Sequence, residues 1–186
     1  MEPVQKLFFK QDAVAVAQKL LGKVITCDGC SGMIVETEAY KTDPASHAYK
    51  ITPRSEIMLK TYGCWYIYFV YGMYYCLNIT TNGLEEPGAV LIRALEPMEG
   101  IARMKQRRNT DDITNLCSGP GKLCSALAID RTFNGSTIAG QMKLFHYKDF
   151  PERRITISTR IGIKEKNPLP WRFFLKGNRF VSKAKP

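Results

Sequence analysis

The segment Glu36-Thr37-Glu38-Ala39-Tyr40 is the first in the chain whose residue types and spacing suit acid–base chemistry. On a strand, residues i, i+2 and i+4 share one face, so Glu36, Glu38 and Tyr40 project together. A solvated face accounts well for Glu36. A carboxylate beside a tyrosine at the mouth of a core strand is a general acid/base candidate, which singles out Glu38. Arg93 interrupts the apolar run Ala89–Leu95. An arginine inside such a run needs an anionic partner, and Glu38 is the natural one. The pairing would favour the ionised carboxylate that a general base requires. A structural ion pair on an edge strand accounts for Arg93 as well.

Aromatic faces are concentrated in WYIYFVYGMYYCLNIT, residues Trp65–Thr80. Aromatic and β-branched residues on both sides of one glycine predict two strands joined by a tight turn at Tyr71-Gly72-Met73. Most of these rings must serve core packing. The tip differs, because an exposed turn is normally polar. A large ring such as Tyr71 in that place suits wedging between base pairs from the minor groove. Asn78 is polar on the return arm; either backbone groups satisfy it or it reads the edge of a ligand.

Other constellations are weaker. Cys27-Asp28-Gly29-Cys30 is a C-x-x-C without a second pair at zinc spacing, and no thioredoxin-like pattern surrounds it. Gly119-Pro120-Gly121-Lys122 lacks the first glycine of a Walker A loop and has Leu123 where Ser or Thr belongs. The turn could still offer Lys122 and backbone N–H groups to a phosphate; a capped helix with a surface lysine accounts for it equally. His47 and His146 are far apart, and Asp111-Asp112 sits in a polar stretch, so a metal-dependent nuclease is disfavoured. No metal and no cofactor is expected.

The elements that must hold these residues form a mixed pattern. Asp12 can cap a short helix with Ala13, Val14, Ala17, Leu20 and Leu21 inside and Gly22 as its stop. Gly32–Tyr40 and Gly88–Leu95 read as strands, 42–54 as a loop, and Ser55–Lys60 as one or two helical turns. Pro97 is placed to start a helix through Arg108, and Asn109–Asn115 reads as a polar loop. Lys122–Ile129 reads as a short helix, with Thr156–Ile163 and Trp171–Leu175 as late strands. There is no strict βαβ alternation, which predicts an α+β domain with a curved, antiparallel-rich sheet, short surrounding helices and a protruding hairpin.

The balance of 27 Lys+Arg against 17 Asp+Glu gives +10 over 186 residues, which favours a polyanion such as nucleic acid as partner. From Lys164 to Lys185 seven cations meet only Glu165, as a phosphate-facing surface or a solvated tail. The start lacks a signal-peptide core, and the longest apolar run is broken by Gly72, so a cytoplasmic chain with no membrane partner and thiol cysteines is expected.

These stretches resemble the alkyladenine DNA glycosylase (3-methyladenine DNA glycosylase) family. The matching segments are IVETEAY (Ile34–Tyr40), His47, TPRS (Thr52–Ser55), YIYFVYGMYYCLNI (Tyr66–Ile79), LIRALEP (Leu91–Pro97), LCSGPGKLCSALAI (Leu116–Ile129) and TRIGI (Thr159–Ile163), in order over most of the chain. The resemblance implies one glycosylase domain over residues 1–186. It implies a monofunctional repair enzyme that flips alkylated or deaminated purines from duplex DNA and hydrolyses the N-glycosidic bond. The lesions would be of the 3-methyladenine, 7-methylguanine, hypoxanthine and etheno-adenine class. By the same resemblance Glu38 matches the catalytic carboxylate, Arg93 the arginine that helps hold the attacking water, and Ile161 a position whose carbonyl contacts that water. Tyr40, His47 and Tyr68 match the groups around the flipped base, and Asn78 the residue that clashes with the 2-amino group of guanine. Tyr71 matches the ring that fills the duplex gap, with Met73 and Tyr74 along the minor groove. The loop between Tyr40 and His47 is shorter than in mammalian relatives, which bears on pocket width, and Gly135–Arg154 matches poorly. A monomer is expected. The rival from another class is a non-enzymatic nucleic-acid-binding module, which would need neither Glu38 nor Arg93.

Overall fold

The computed structural model describes residues 1–81 and 87–182. Asp12 caps α1 (Ala13–Lys19) by accepting the Val14 N–H at 2.8 Å, and Ala13, Val16 and Ala17 turn into the core with Leu20 and Leu21 behind them. Gly22 then reverses the chain at φ +88°, where a Cβ would lie 2.3 Å from the Lys148 carbonyl oxygen. β1 (Val24–Cys27) and β2 (Cys30–Tyr40) follow as a hairpin. After a loop come α2 (Glu56–Lys60), β3 (Trp65–Val70), β4 (Tyr74–Thr81) and β5 (Gly88–Glu99). The rest comprises α3 (Ile101–Arg108), α4 (Pro120–Ala126), β6 (Lys143–Phe145), β7 (Ile155–Ser158) and β8 (Arg172–Leu175).

The strands form one antiparallel sheet in the order β3-β4-β5-β2-β1-β6, with β8 joining β2 and β7 joining β8. This is the α+β domain expected from the sequence. β2 is its spine. One edge of β2 pairs with β5 from Ser31↔Glu99 to Tyr40↔Ala89. The other pairs first with β1 and then, at Glu36–Glu38, with β8. The register with β5 shifts on both sides of Glu36, a bulge of the kind that re-aims side chains. α1 covers β2 and β5, while α4 covers β4 and β5, so the apolar side chains of β2 and β5 are closed off from water.

Four readings need correction. Pro97 does not open a helix: β5 runs on to Glu99, with Pro97 paired to Gly32 beside a register shift, a place where a strand tolerates proline. The helix waits for Gly100, whose φ of +73° turns the chain where a Cβ would lie 2.6 Å from the Gly29 carbonyl oxygen. β7 ends at Ser158 rather than Ile163, because Arg160 turns inward and Gly162 takes φ +80°. Glu36 is not on a solvated face but fully buried. Arg93 also lies in the interior of the sheet, since β5 is flanked by β4 and β2. Of the basic C-terminal run, Arg172 is buried, and Lys183 and Lys185 lie outside the described residues.

Candidate active site

Cross-strand pairing places one set of side chains on each face of the β3–β4 hairpin. Ile67↔Leu77 and Trp65↔Ile79 face the core, with Phe69↔Tyr75 continuing that face outward, their ring centroids 5.0 Å apart. The alternate pairs Tyr66↔Asn78, Tyr68↔Cys76 and Val70↔Tyr74 line a cavity of about 620 Å³. Its other walls come from His47 in the loop after β2, Tyr40, Leu91 and Arg93 on the sheet, Pro120 and Gly121 of α4, and Ile161–Ile163. The sequence-predicted residues Tyr40, His47, Tyr68, Asn78, Arg93 and Ile161 are therefore gathered around one space.

Glu38 lies just behind this wall, fully buried. Three donors converge on its carboxylate: the Tyr40 hydroxyl at 2.8 Å and Arg93 Nη1 at 3.2 Å on Oε2, and the Ile161 backbone N–H at 2.7 Å on Oε1. The Glu38–Arg93 pairing read from the sequence is present. Ile161 meets Glu38 through its amide, a contact the sequence reading did not anticipate. Burial, reinforced by the charge of Glu38, pushes the Tyr40 phenol well above its ordinary value, so its hydroxyl remains a donor. The back of the Tyr40 ring carries the Arg160 guanidinium, 4.7 Å from the centroid and held by Asp43 at 2.6 and 3.1 Å. No sequence signal marked Asp43 and Arg160 as a pair 117 residues apart.

His47 and Tyr68 meet edge to face at 4.6 Å, too close for a planar ring to enter between them, so they act as one wall. His47 Nδ1 is 2.8 Å from the Tyr66 hydroxyl. Burial, with Arg54 adding to it, lowers the affinity of His47 for a proton, so the imidazole is neutral at neutral pH. Burial pushes the Tyr66 phenol up to about 12. Tyr66 was missed as a site residue, although its i, i+2 relation to Tyr68 is a strand signal. Asn78 Nδ2 donates to the carbonyls of Tyr66 and Cys76 at 3.1 and 3.3 Å, which leaves Oδ1 as its polar atom for the cavity.

The hairpin tip stands clear of the body. Tyr71 is 87% exposed, Met73 64% and Tyr74 47%. The Met73 N–H closes a turn onto the Val70 carbonyl at 3.2 Å, and Tyr71 and Gly72 both take positive φ, 54° and 64°. Behind the tip, a Cβ on Gly121 would lie 2.9 Å from Cγ and 3.0 Å from Cβ of Tyr74, so the ring lies directly on the first turn of α4. Gly121→Ala is expected to push the base of the hairpin away, at a cost of about 1–3 kcal/mol in stability for overpacking. It should also weaken duplex binding, which thermal unfolding and a binding titration would show together. Lys122 turns its ammonium to Asn115 Oδ1.

Sequence comparison agrees with this geometry. Residues 7–179 match the model of the methylpurine-DNA glycosylase family. The chain belongs to that family. A methylpurine-DNA glycosylase relative from Rhizobium etli, named "Putative 3-methyladenine DNA glycosylase", is 47% identical over 96% of this chain and 88% of its own length. Relatives of the same name from Carboxydothermus hydrogenoformans and Bradyrhizobium diazoefficiens are 44% and 40% identical, covering 95% and 100% of this chain and 96% and 93% of their own. The glycosylase family thus spans every element that lines the cavity. Cys27 and Cys30 stand apart from the cavity as Cα partners at the β1–β2 turn, and burial pushes the Cys27 thiol up to about 11. Among the described residues no group of three His, Cys, Asp or Glu is arranged to hold a metal ion, and no helix is long and apolar enough to cross a membrane.

Proposed function

We propose that this methylpurine-DNA glycosylase flips a damaged purine into the cavity and releases it by hydrolysis, with Glu38 activating the water. The observation that carries this reading is the Glu38 carboxylate, buried behind an aromatic cavity and held by Arg93, Tyr40 and Ile161. The purine lies between Tyr40 on one side and the joined His47–Tyr68 wall on the other. A cationic alkylated base gains about 0.5–2 kcal/mol per well-placed ring face. A neutral imidazole at His47 adds no opposing charge. Asn78 stands where a 2-amino group would intrude, which disfavours normal guanine. Tyr71 fills the vacated stack, Met73 and Tyr74 follow the minor groove, and Lys122 and the basic surface hold the phosphates.

Departure of the base leaves positive charge on the sugar, as in glycoside hydrolysis. Glu38 stabilises that charge and accepts the proton of the water, while Arg93 and the Ile161 backbone fix the water's place. A lyase route needs an amine nucleophile. Lysine is absent from the described lining of the cavity, and Lys41 turns away to pair with Asp12. The protein acts as a monomer in the cytoplasm without a cofactor. The test is excision of hypoxanthine and 7-methylguanine from end-labelled duplexes in excess EDTA. Abasic sites are expected, with strands intact until alkali is added. Strand scission before alkali would remove the water mechanism, and activity lost to EDTA would point to a metal nuclease.

A further inference from the structure

The bulge in β2 buries a second carboxylate that the mechanism above does not use. Glu36 Oε1 accepts from Arg172 Nε at 2.7 Å and from the Ser182 hydroxyl at 2.9 Å, and Oε2 accepts from the Ser182 backbone N–H at 2.7 Å. Arg93 Nε lies 3.4 Å from the same Oε1, an ion pair without hydrogen-bond geometry, while its Nη1 donates to Glu38. Arg172, Glu36, Arg93 and Glu38 thus form a line of alternating charge, with Glu36 shared by the two arginines. An arginine anchored at Nη1 alone can swing about that contact. A buried carboxylate beside Nε attracts that edge of the guanidinium and biases its plane, and with it the direction of its cavity-facing donors. We infer that Glu36 is a positioning residue: clamped by Arg172 and Ser182, it sets the orientation of Arg93 toward Glu38 and the reacting centre. This rests on the glycosylase reading. Neutralising Glu36 would leave two guanidinium groups facing one uncharged amide, and Arg93 would turn away from its partner's repulsion.

The test is single-turnover excision with saturating Glu36→Gln, beside the Kd for the lesion duplex, thermal unfolding and the NMR signal of the Arg93 Nε–H. A fall in rate of about tenfold to a hundredfold is expected from misplacement alone, with Kd unchanged and the Arg93 Nε–H signal shifted by loss of the neighbouring charge. In an Arg93→Gln background the same substitution should cost nothing further, because Glu36 acts through Arg93. Equal losses in both backgrounds would show a merely structural ion cluster and overturn the inference, as would a wild-type rate in Glu36→Gln. Should that variant not fold, Ser182→Ala removes one donor from Oε1 and should give a smaller loss with the same dependence on Arg93. Wild-type protein that leaves no abasic sites, with an Arg93 Nε–H signal that still shifts in Glu36→Gln, would overturn the glycosylase reading while leaving the positioning contact in place.

Discussion

Glu38→Gln is expected to abolish excision while lesion duplex is still bound. An amide cannot accept the proton of the attacking water, and loss of a general base removes about 10²–10⁴ in rate. It also cannot stabilise positive charge on the sugar, so the single-turnover rate should fall at least to the upper part of that range. The variant has a structural cost as well. Glu38 accepts from three groups, and a glutamine can satisfy the Ile161 N–H with its oxygen only by presenting its –NH2 to Arg93 Nη1. Two donors then face each other, a defect of about 1–3 kcal/mol for one buried unsatisfied group. Thermal unfolding measured beside the rate separates this loss from the chemical one. Binding by the variant with no abasic product would support Glu38 as the base. Full excision would place the chemistry elsewhere in the cavity, and binding unchanged in a wild type that never excises would favour a binding module.

The second large effect has opposite signs for stability and activity. Tyr71 holds a left-handed backbone at φ 54° with its ring in solvent, a conformation that costs a non-glycine L-residue about 1–2 kcal/mol. Asparagine occupies such turn positions far more readily. Tyr71→Asn should therefore leave the melting temperature unchanged or raise it. The same change removes the ring proposed to fill the stack, so a few kcal/mol of the flipping cost would no longer be offset, and excision is expected to fall by about tenfold to a hundredfold at subsaturating enzyme. A substrate whose damaged base is already unpaired should be less affected. Excision undiminished on a fully paired duplex would remove Tyr71 from the flipping step.

Much of this arrangement was legible because strand periodicity is short-ranged. Glu38 and Tyr40 share a face by their spacing, Asn78 stood out as a polar residue on the return arm, and Arg93 declared its need for an anion by standing in an apolar run. Family resemblance named the same residues and added Tyr68, His47 and Ile161; no local pattern could have placed the last two. What stayed hidden depends on long-range closure. Glu36 looks solvated until β8 and Ser182 come back across 136 and 146 residues to cover it. Arg160 and Asp43 carry no mark of their pairing behind Tyr40. The extension of β5 past Pro97 is set by the length of its partner β2, and a proline beside a shifted register is compatible with that pairing. Lys122 illustrates the limit from the other side: a short helix was read here, yet it opens at Pro120 rather than Lys122, and the direction of the ammonium depends on Asn115 seven residues earlier.

The bare backbone at Gly121 has a mechanical meaning. With no side chain between them, Tyr74 rests on the opening turn of α4, and α4 is packed on β4 and β5. A load applied at the tip of a lever passes to its fulcrum, and here the fulcrum is tied into the packed core. In the proposed flipping step, a duplex that resists the wedge is then the body expected to unstack and bend, while the hairpin keeps its shape.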